Sequence, residues 1–385
     1  MAVAWDSDPM VARWGGLAPL TRDTTADACV VGLGASGLAA VEALLERGLS
    51  VVGLDASRVA AGAAGRNGGF LLAGCALNLH DAIRYWGVDA AVGLHRETLA
   101  ELRRCTDRPG GDVIQRVGSI RLAGLPGEPI DGAEAADRAA ELLDCELHAD
   151  ALRAYGFEVE TYEGHLGRGL YFPADAAVNP AARAIRAAEG LRSLAALHEY
   201  TTVTALARGR VVTERAVVSA GVVVVAIDGG LDVLLPELSG RLRTARLQML
   251  ATAPVRPLRL PCPVYARWGY DYAQQDGSGR LYVGGGRDRF IEAEWTTDTE
   301  PTVGVQGWIG AVADRMAGQE VQVTHRWAAS VGYTPDARPV VLELEPGLVV
   351  CGGYNGTGNL VGPVAARAAV ALAVDGTAAP AWCRT

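Results

Sequence analysis

The chain has 385 residues, half of them hydrophobic and about a fifth charged, a folded composition with two or three domains' worth of core that excludes wholesale disorder. Its net charge of −9 argues against a nucleic-acid partner held on a basic face. All 35 basic residues are Arg, so a pyridoxal phosphate Schiff base, a Walker A phosphate loop and a lysine nucleophile are excluded together.

Residues 1–26 form an arm containing Trp, Pro and Gly with no clear period. No basic region followed by an apolar stretch occurs in it, so no secretory signal is expected. Ala28 to Val31 reads as a short buried strand, Leu38 to Arg47 as a helix and Ser50 to Leu54 as a second strand, together a βαβ unit. Ala90 to Arg104 reads as a helix, with Val92, Leu94, Leu99 and Leu102 apolar. Asn179-Pro180 supplies an N-cap and a first-turn proline for a helix to about Ala188. The longest apolar run, Gly221 to Ile227, is too short to span a bilayer and reads as one buried parallel strand. From 241 to 291 strands and tight turns prevail. Asp276 to Gly279 is a hairpin turn between Tyr270–Tyr272 and Leu281–Val283. The end runs strand (Gly347 to Val350), glycine-rich loop (Gly352 to Gly362), helix (Pro363 to Ala373). This pattern is an α/β sheet domain made from several segments, with a more antiparallel domain inserted between them.

The seven Cys are scattered and odd in number, with no CxxC pair, and the six His form no HExxH or HxH cluster. Reduced thiols in a cytoplasmic protein are expected, with no metal site and no membrane.

Three glycine-rich sites carry the chemistry. Gly32-Leu33-Gly34-Ala35-Ser36-Gly37 follows a strand and opens a helix. Gly32 allows the tight turn, Gly34 lets the backbone approach a pyrophosphate, and Gly37 lets helix and sheet pack closely. Asp55, followed by Ala56, ends the second strand 18 residues past Gly37, where a carboxylate accepts from an adenosine ribose. The second site is Gly62-Ala63-Ala64-Gly65-Arg66-Asn67-Gly68-Gly69-Phe70, whose bare N–H groups suit a flat cofactor, or which is a flexible surface loop. The third is Gly352-Gly353-Tyr354-Asn355-Gly356-Thr357-Gly358-Asn359, again between strand and helix. Its positive dipole end suits a flavin's N1–C2=O region, and the alternative is an ordinary strand-to-helix turn. An NAD-dependent dehydrogenase would need only the first site.

These three sites, in this order and spacing, resemble the D-amino-acid-oxidase-like superfamily of FAD-dependent oxidoreductases, which includes glycine oxidase, sarcosine oxidase and γ-glutamylputrescine oxidase. Arg66 to Gly69, Gly279 to Gly286, and Trp327 with Tyr333 to Asp336 look most like the γ-glutamylputrescine oxidase branch. The resemblance covers roughly residues 26–375. It implies a Rossmann-like FAD-binding domain from 1–100, 165–235 and 326–385, with an inserted mixed-sheet α+β substrate domain from 101–164 and 236–325. It also implies that Val203 lies near the adenine and Ala226 to Gly229 near the FAD. The activity implied is oxidation of a C–N bond in a small amine or amino acid by hydride transfer to flavin N5. The product is an imine, and the acceptor O2 or another electron acceptor. The other class of function left open is a flavin-binding module without its own turnover.

Departures from the family refine this. Positions where relatives tether FAD through Cys or His hold Ala329 and no His in 62–70, so non-covalent FAD is expected. The position of the lysine that sarcosine oxidases place over the flavin is matched by Tyr282. Glycine oxidase's carboxylate-binding Arg is matched by Val331, so an amine rather than a free α-amino acid is expected unless Arg121, Arg267 or Arg287 reaches the same space. Pocket candidates are the aromatics Trp268, Tyr270, Tyr272, Tyr282, Trp327, Tyr333 and Tyr354, whose faces suit an alkylammonium or an apolar body. Of these, Tyr282, Trp327, Tyr270 and Tyr354 are the expected catalytic residues.

Overall fold

A computed structural model describes residues 3–107, 111–127 and 133–384. Strand Thr24–Val31, helix Ala35–Leu45 and strand Val51–Leu54 follow one another, with the two strands parallel. Both strands are buried on both faces where they pair, which explains their unbroken apolar runs. Among the described residues this unit sits in an eight-stranded sheet. From one edge its order is Val203–Ala207, Arg210–Thr213, Val217–Val225, Thr24–Val31, Val51–Leu54 and Ala196–His198. The Gly221–Ile227 run thus belongs to a strand parallel to Thr24–Val31, as its composition predicts. Leu348–Gly352 pairs parallel to the end of that strand and carries Val340–Glu345 outside it.

A second eight-stranded sheet runs Val323–Tyr333, Arg243–Thr252, Leu281–Gly285, Asp271–Gln275, Val264–Ala266, Ser119–Leu122, Gly167–Phe172 and Glu160–Gly164. Its pairs are antiparallel except Val264–Ala266 with Ser119–Leu122. Gly167–Phe172 and Val323–Tyr333 belong here, so the chain leaves this sheet after 172 and after 333, later than the expected crossings at 165 and 326. Asp271–Gln275 and Leu281–Gly285 form the predicted hairpin. Val305, Ile309, Val312 and Met316 of helix Val303–Ala317 form one stripe packed on Ile120, Val264, Ala273 and Val283. Side-chain alternation then sends Arg121, Tyr265 and Tyr272 to the opposite face of the sheet, toward the first domain.

Three local expectations are refined. The arm folds into a 3-10 turn, Ala4–Ser7, and a short helix, Pro9–Ala12, before the first strand begins at Thr24. The helix capped by Asn179, whose side chain accepts from Ala181 and Ala182 N–H, runs to Leu191. The helix after the third glycine site begins at Gly358, not Pro363. Proline inside it removes the N–H that would reach the Asn359 carbonyl. Arg183 Nη1 donates to that carbonyl instead, at 2.8 Å.

Candidate active site

The first loop is held by backbone contacts that leave no room for side chains. Gly32 has φ +94°, and a Cβ there would meet the Ala226 carbonyl oxygen at 2.9 Å. A Cβ on Gly37 would lie 1.7 Å from the Gly32 carbonyl oxygen. Gly34 caps helix Ala35–Leu45 without a side-chain acceptor, so the first-turn N–H groups face outward unclaimed, as an anion site requires. Asp55 closes the loop from the next strand, accepting from Leu33 N at 2.8 Å and Ser57 N at 2.9 Å. Burial pushes its carboxyl up to about 6 against the pull of those two N–H donors.

The second loop is braced from behind the cavity, contrary to the flexible-loop alternative. It contains a helical turn, Ala63–Arg66, and Gly65 packs where a Cβ would lie 2.1 Å from the Ala60 carbonyl oxygen. Gly69 has φ +75° and no space beside the Val178 carbonyl. The Asn67 and Asn359 side chains form a reciprocal amide pair (2.9 and 3.2 Å), and Asn359 also donates to the Phe70 carbonyl at 2.8 Å. Residues 292 apart in sequence thus lock the second and third loops together. Asn359→Ala removes the two bonds of this part-buried pair and the donor to the Phe70 carbonyl, so the FAD-free protein should lose roughly 0.5–1.5 kcal/mol of stability. Thermal unfolding checks this, and an unchanged midpoint would show that the pair does not hold the loops.

The third loop wraps a carboxylate of the Ala226–Gly229 stretch, which the resemblance places near the FAD without singling out Asp228. Asp228 accepts from Gly332 N (3.0 Å), Gly353 N (2.8 Å) and Tyr354 N (3.1 Å), and burial raises its carboxyl to about 6 despite them. The Asn355 side chain accepts from Thr334 N and donates to the Gly353 carbonyl. It is buried, so the Asn355-Gly356-Thr357 sequon is not displayed on the surface.

All three loops open into one cavity of about 1490 Å³, well beyond an ordinary small-ligand pocket of roughly 300–1,000 Å³. Gly32, Gly34, Ala35, Ser36, Asp55, Gly62, Ala64, Arg66, Asn67, Gly68 and Phe70 border it. So do Tyr354, Asn355, Gly356, Thr357, Gly358 and Asn359. Gly37, Gly65, Gly69 and Gly353 stand behind this lining and shape it. Ala56 is exposed beside it, and Val203 lies on the outer strand of the first sheet; neither borders the cavity. The bare backbone at Gly32 and Gly34, two free helix N-termini and the strand-end carboxylate fit a dinucleotide with a flat ring system.

A protein-family model described as FAD dependent oxidoreductase matches residues 27–372. The chain belongs to this family. It is 27% identical over 363 residues to gamma-glutamylputrescine oxidoreductase of Escherichia coli (strain K12), covering 88% of this chain and 81% of that protein. Among solved structures, glycine oxidase from Geobacillus kaustophilus superposes with a TM-score of 0.70 at 19% identity, over 93% of this chain and 96% of that one. L-proline dehydrogenase from P. horikoshii gives 0.71 at 16% identity, over 93% and 95%. Both show the same fold.

In this FAD-dependent oxidoreductase the expected pocket aromatics divide. Trp268, Tyr270, Tyr272, Tyr333 and Tyr354 border the cavity, whereas Tyr282 and Trp327 do not. Tyr282 sits one step along its strand from the row Met249, Gly284, Tyr272, and the Trp5 ring from the arm covers it, centroids 3.5 Å apart. Trp327 is buried and donates its indole N–H to the Arg66 carbonyl at 2.8 Å, so it props the second loop from behind. Two residues missing from the sequence-based site, Trp295 and Tyr265, border the cavity.

The three arginines also divide. Arg267 pairs with Asp271 at 2.9 Å and Asp288 at 2.5 Å and does not border the cavity. Arg121 and Arg287 are buried and do border it, as do Ala329 and Val331. Arg287 packs against the Trp295 and Tyr333 rings, 4.1 and 4.3 Å from their centroids, and Arg243 also stands over Trp295 at 4.5 Å.

Proposed function

We propose that this oxidoreductase oxidises a C–N bond in a small amine or amino acid, giving an imine that water hydrolyses, with non-covalent FAD and O2 as acceptor. The observation that carries this reading is the junction of the three glycine loops with the aromatic face of the second sheet in one cavity. Bound FAD would supply the two-electron acceptor, taking the substrate hydrogen as hydride at flavin N5. The first-sheet loops would hold it: first-turn N–H groups of Ala35–Leu45 at the pyrophosphate, Asp55 at the ribose, and the N-terminus of Gly358–Val370 at the flavin's N1–C2=O edge. The second sheet would present the substrate, with Tyr270, Tyr272 and Tyr333 excluding water. Among the described residues no His borders the cavity. Burial holds Tyr333 up at about 12 and raises Tyr272 and Tyr354 as well, so these phenols stay protonated at neutral pH. The protein's part in this reading is therefore to position and desolvate the substrate amine.

Anaerobic mixing with amines and amino acids tests the reading: at least one should bleach the flavin, and readmitted air should restore the colour. A flavin inert to the whole panel would point to a binding module without turnover. Acid precipitation should release free yellow FAD, because Ala329 stands at the tether position and no His lies in 62–70. Colour retained in the pellet would overturn the non-covalent assignment.

A further inference from the structure

Resting on that reading, we propose that the substrate amine carries two acidic groups, one held by Arg287 and the other by Arg121. The third buried guanidinium among the described residues, Arg246, has a carboxylate partner in Glu294, and even the half-buried Arg367 pairs with Glu42 and Glu101. Arg287 and Arg121 are only 8% and 7% exposed and have no ion pair among the described residues. Nε and Nη2 of Arg287 lack any hydrogen-bond partner, as does Nε of Arg121. Asn78 Oδ1 accepts from Arg121 Nη1, and Glu141 lies within electrostatic range of Arg121 but makes no ion pair with it.

Burying an unpaired cation is costly. The Trp295 and Tyr333 rings offset part of that cost for Arg287, and Tyr265, 5.8 Å away, does so for Arg121. Nearby carboxylates are committed elsewhere. Asp228 accepts three backbone N–H groups and Asp55 two. Glu141 accepts from Gly124 N and Trp268 N. A ligand carboxylate is the group that completes each site, and Arg offers it a two-pronged fork.

Each guanidinium is anchored on its own partners, Arg121 on Asn78 and Tyr265 and Arg287 on Trp295 and Tyr333. The strand bearing Arg121 lies three strands from the one that ends just before Arg287. At about 4.8 Å per strand the backbones are on the order of 14 Å apart. Between them Tyr265 and Tyr272 border the cavity and offer flat faces to an apolar connecting chain.

The test uses the FAD-loaded protein and ligands without an oxidisable C–N bond, so it is independent of whether any amine reduces the flavin. Calorimetric titration compares glutarate and adipate with butyrate and with putrescine. The expected result is dicarboxylate binding at least 10-fold tighter than butyrate, and none by the diamine. Arg287→Gln and Arg121→Gln should each weaken the dicarboxylate about 10- to 100-fold, and Arg287→Lys should recover part of the loss. Butyrate binding as tightly as either dicarboxylate, in the unaltered protein, overturns the two-point clamp. So does an Arg121→Gln or Arg287→Gln protein of normal FAD content that binds dicarboxylates as before. If the clamp holds but no amine bleaches the flavin, the oxidation reading alone falls.

Discussion

Gly37→Ala should strip the protein of FAD and destabilise it. The added methyl would sit 1.7 Å from the Gly32 carbonyl oxygen and 2.7 Å from its carbon, both backbone atoms that no rotamer change can move. Helix Ala35–Leu45 must then back away from the strand it packs on, carrying its N-terminus off the phosphate position. Overpacking of this kind costs about 1–3 kcal/mol, and more where only backbone can yield. Gly62→Ala is the internal comparison: φ is −87° and nothing lies within 4 Å of the added Cβ. The flavin-to-protein absorbance ratio and the thermal midpoint check both variants. A yellow Gly37→Ala protein of normal stability would show that the turn has slack.

Asp55→Ala should weaken FAD binding about 10- to 100-fold, the loss of charge-assisted bonds worth roughly 1.5–3 kcal/mol. Asp55 also accepts from the buried Leu33 N–H, so the alanine variant loses stability even without FAD. Asp55→Asn keeps an acceptor and separates the two effects. A pH series adds a second check. With its carboxyl raised to about 6, Asp55 in the FAD-free protein is mostly protonated at pH 5. Ribose hydroxyls donate best to the ionised form, so affinity should fall about 10-fold from pH 7 to pH 5, with proton release on binding in that window. Stability of the FAD-free protein should run the opposite way. Because the folded value exceeds the unfolded one, the contribution is full below about pH 4 and fades as pH rises through 6. Asp228, also raised to about 6, adds in the same sense. Asp55→Asn binding with the unaltered pH dependence would exclude Asp55 as the ribose ligand.

The parts of the fold legible in the sequence are those with local causes. Gly37 answers to the Gly32 carbonyl five residues before it, and Asn179-Pro180 caps its own helix. The boundary of the last helix was not legible, because its tolerance of Pro363 depends on Arg183, 180 positions earlier. The substrate end was legible only in part, for the same kind of reason. Tyr272 and Tyr282 look alike in sequence and face the same side of one sheet. Trp5, from the far end of the chain, covers one and leaves the other open. Arg267 had a readable sign of its structural role in Asp271, four residues on. Arg287 had none, since its distinction is the absence of such a partner, and Trp295, which stacks on it, lies in an irregular stretch without periodicity.

The amide pair between Asn67 and Asn359 has a consequence for biosynthesis. A ribosome makes the first two glycine loops early, but the cleft stays open on one side until residue 359 and the helix behind it exist. The same holds for the first sheet, where one edge of Val217–Val225 waits more than 120 residues for Leu348–Gly352. A nascent chain therefore carries an unsealed strand edge, a site for misassociation, through about a third of its elongation. Cofactor capture belongs after synthesis, and a chain stopped short of the third loop would present an aggregation-prone apoprotein rather than a weak enzyme.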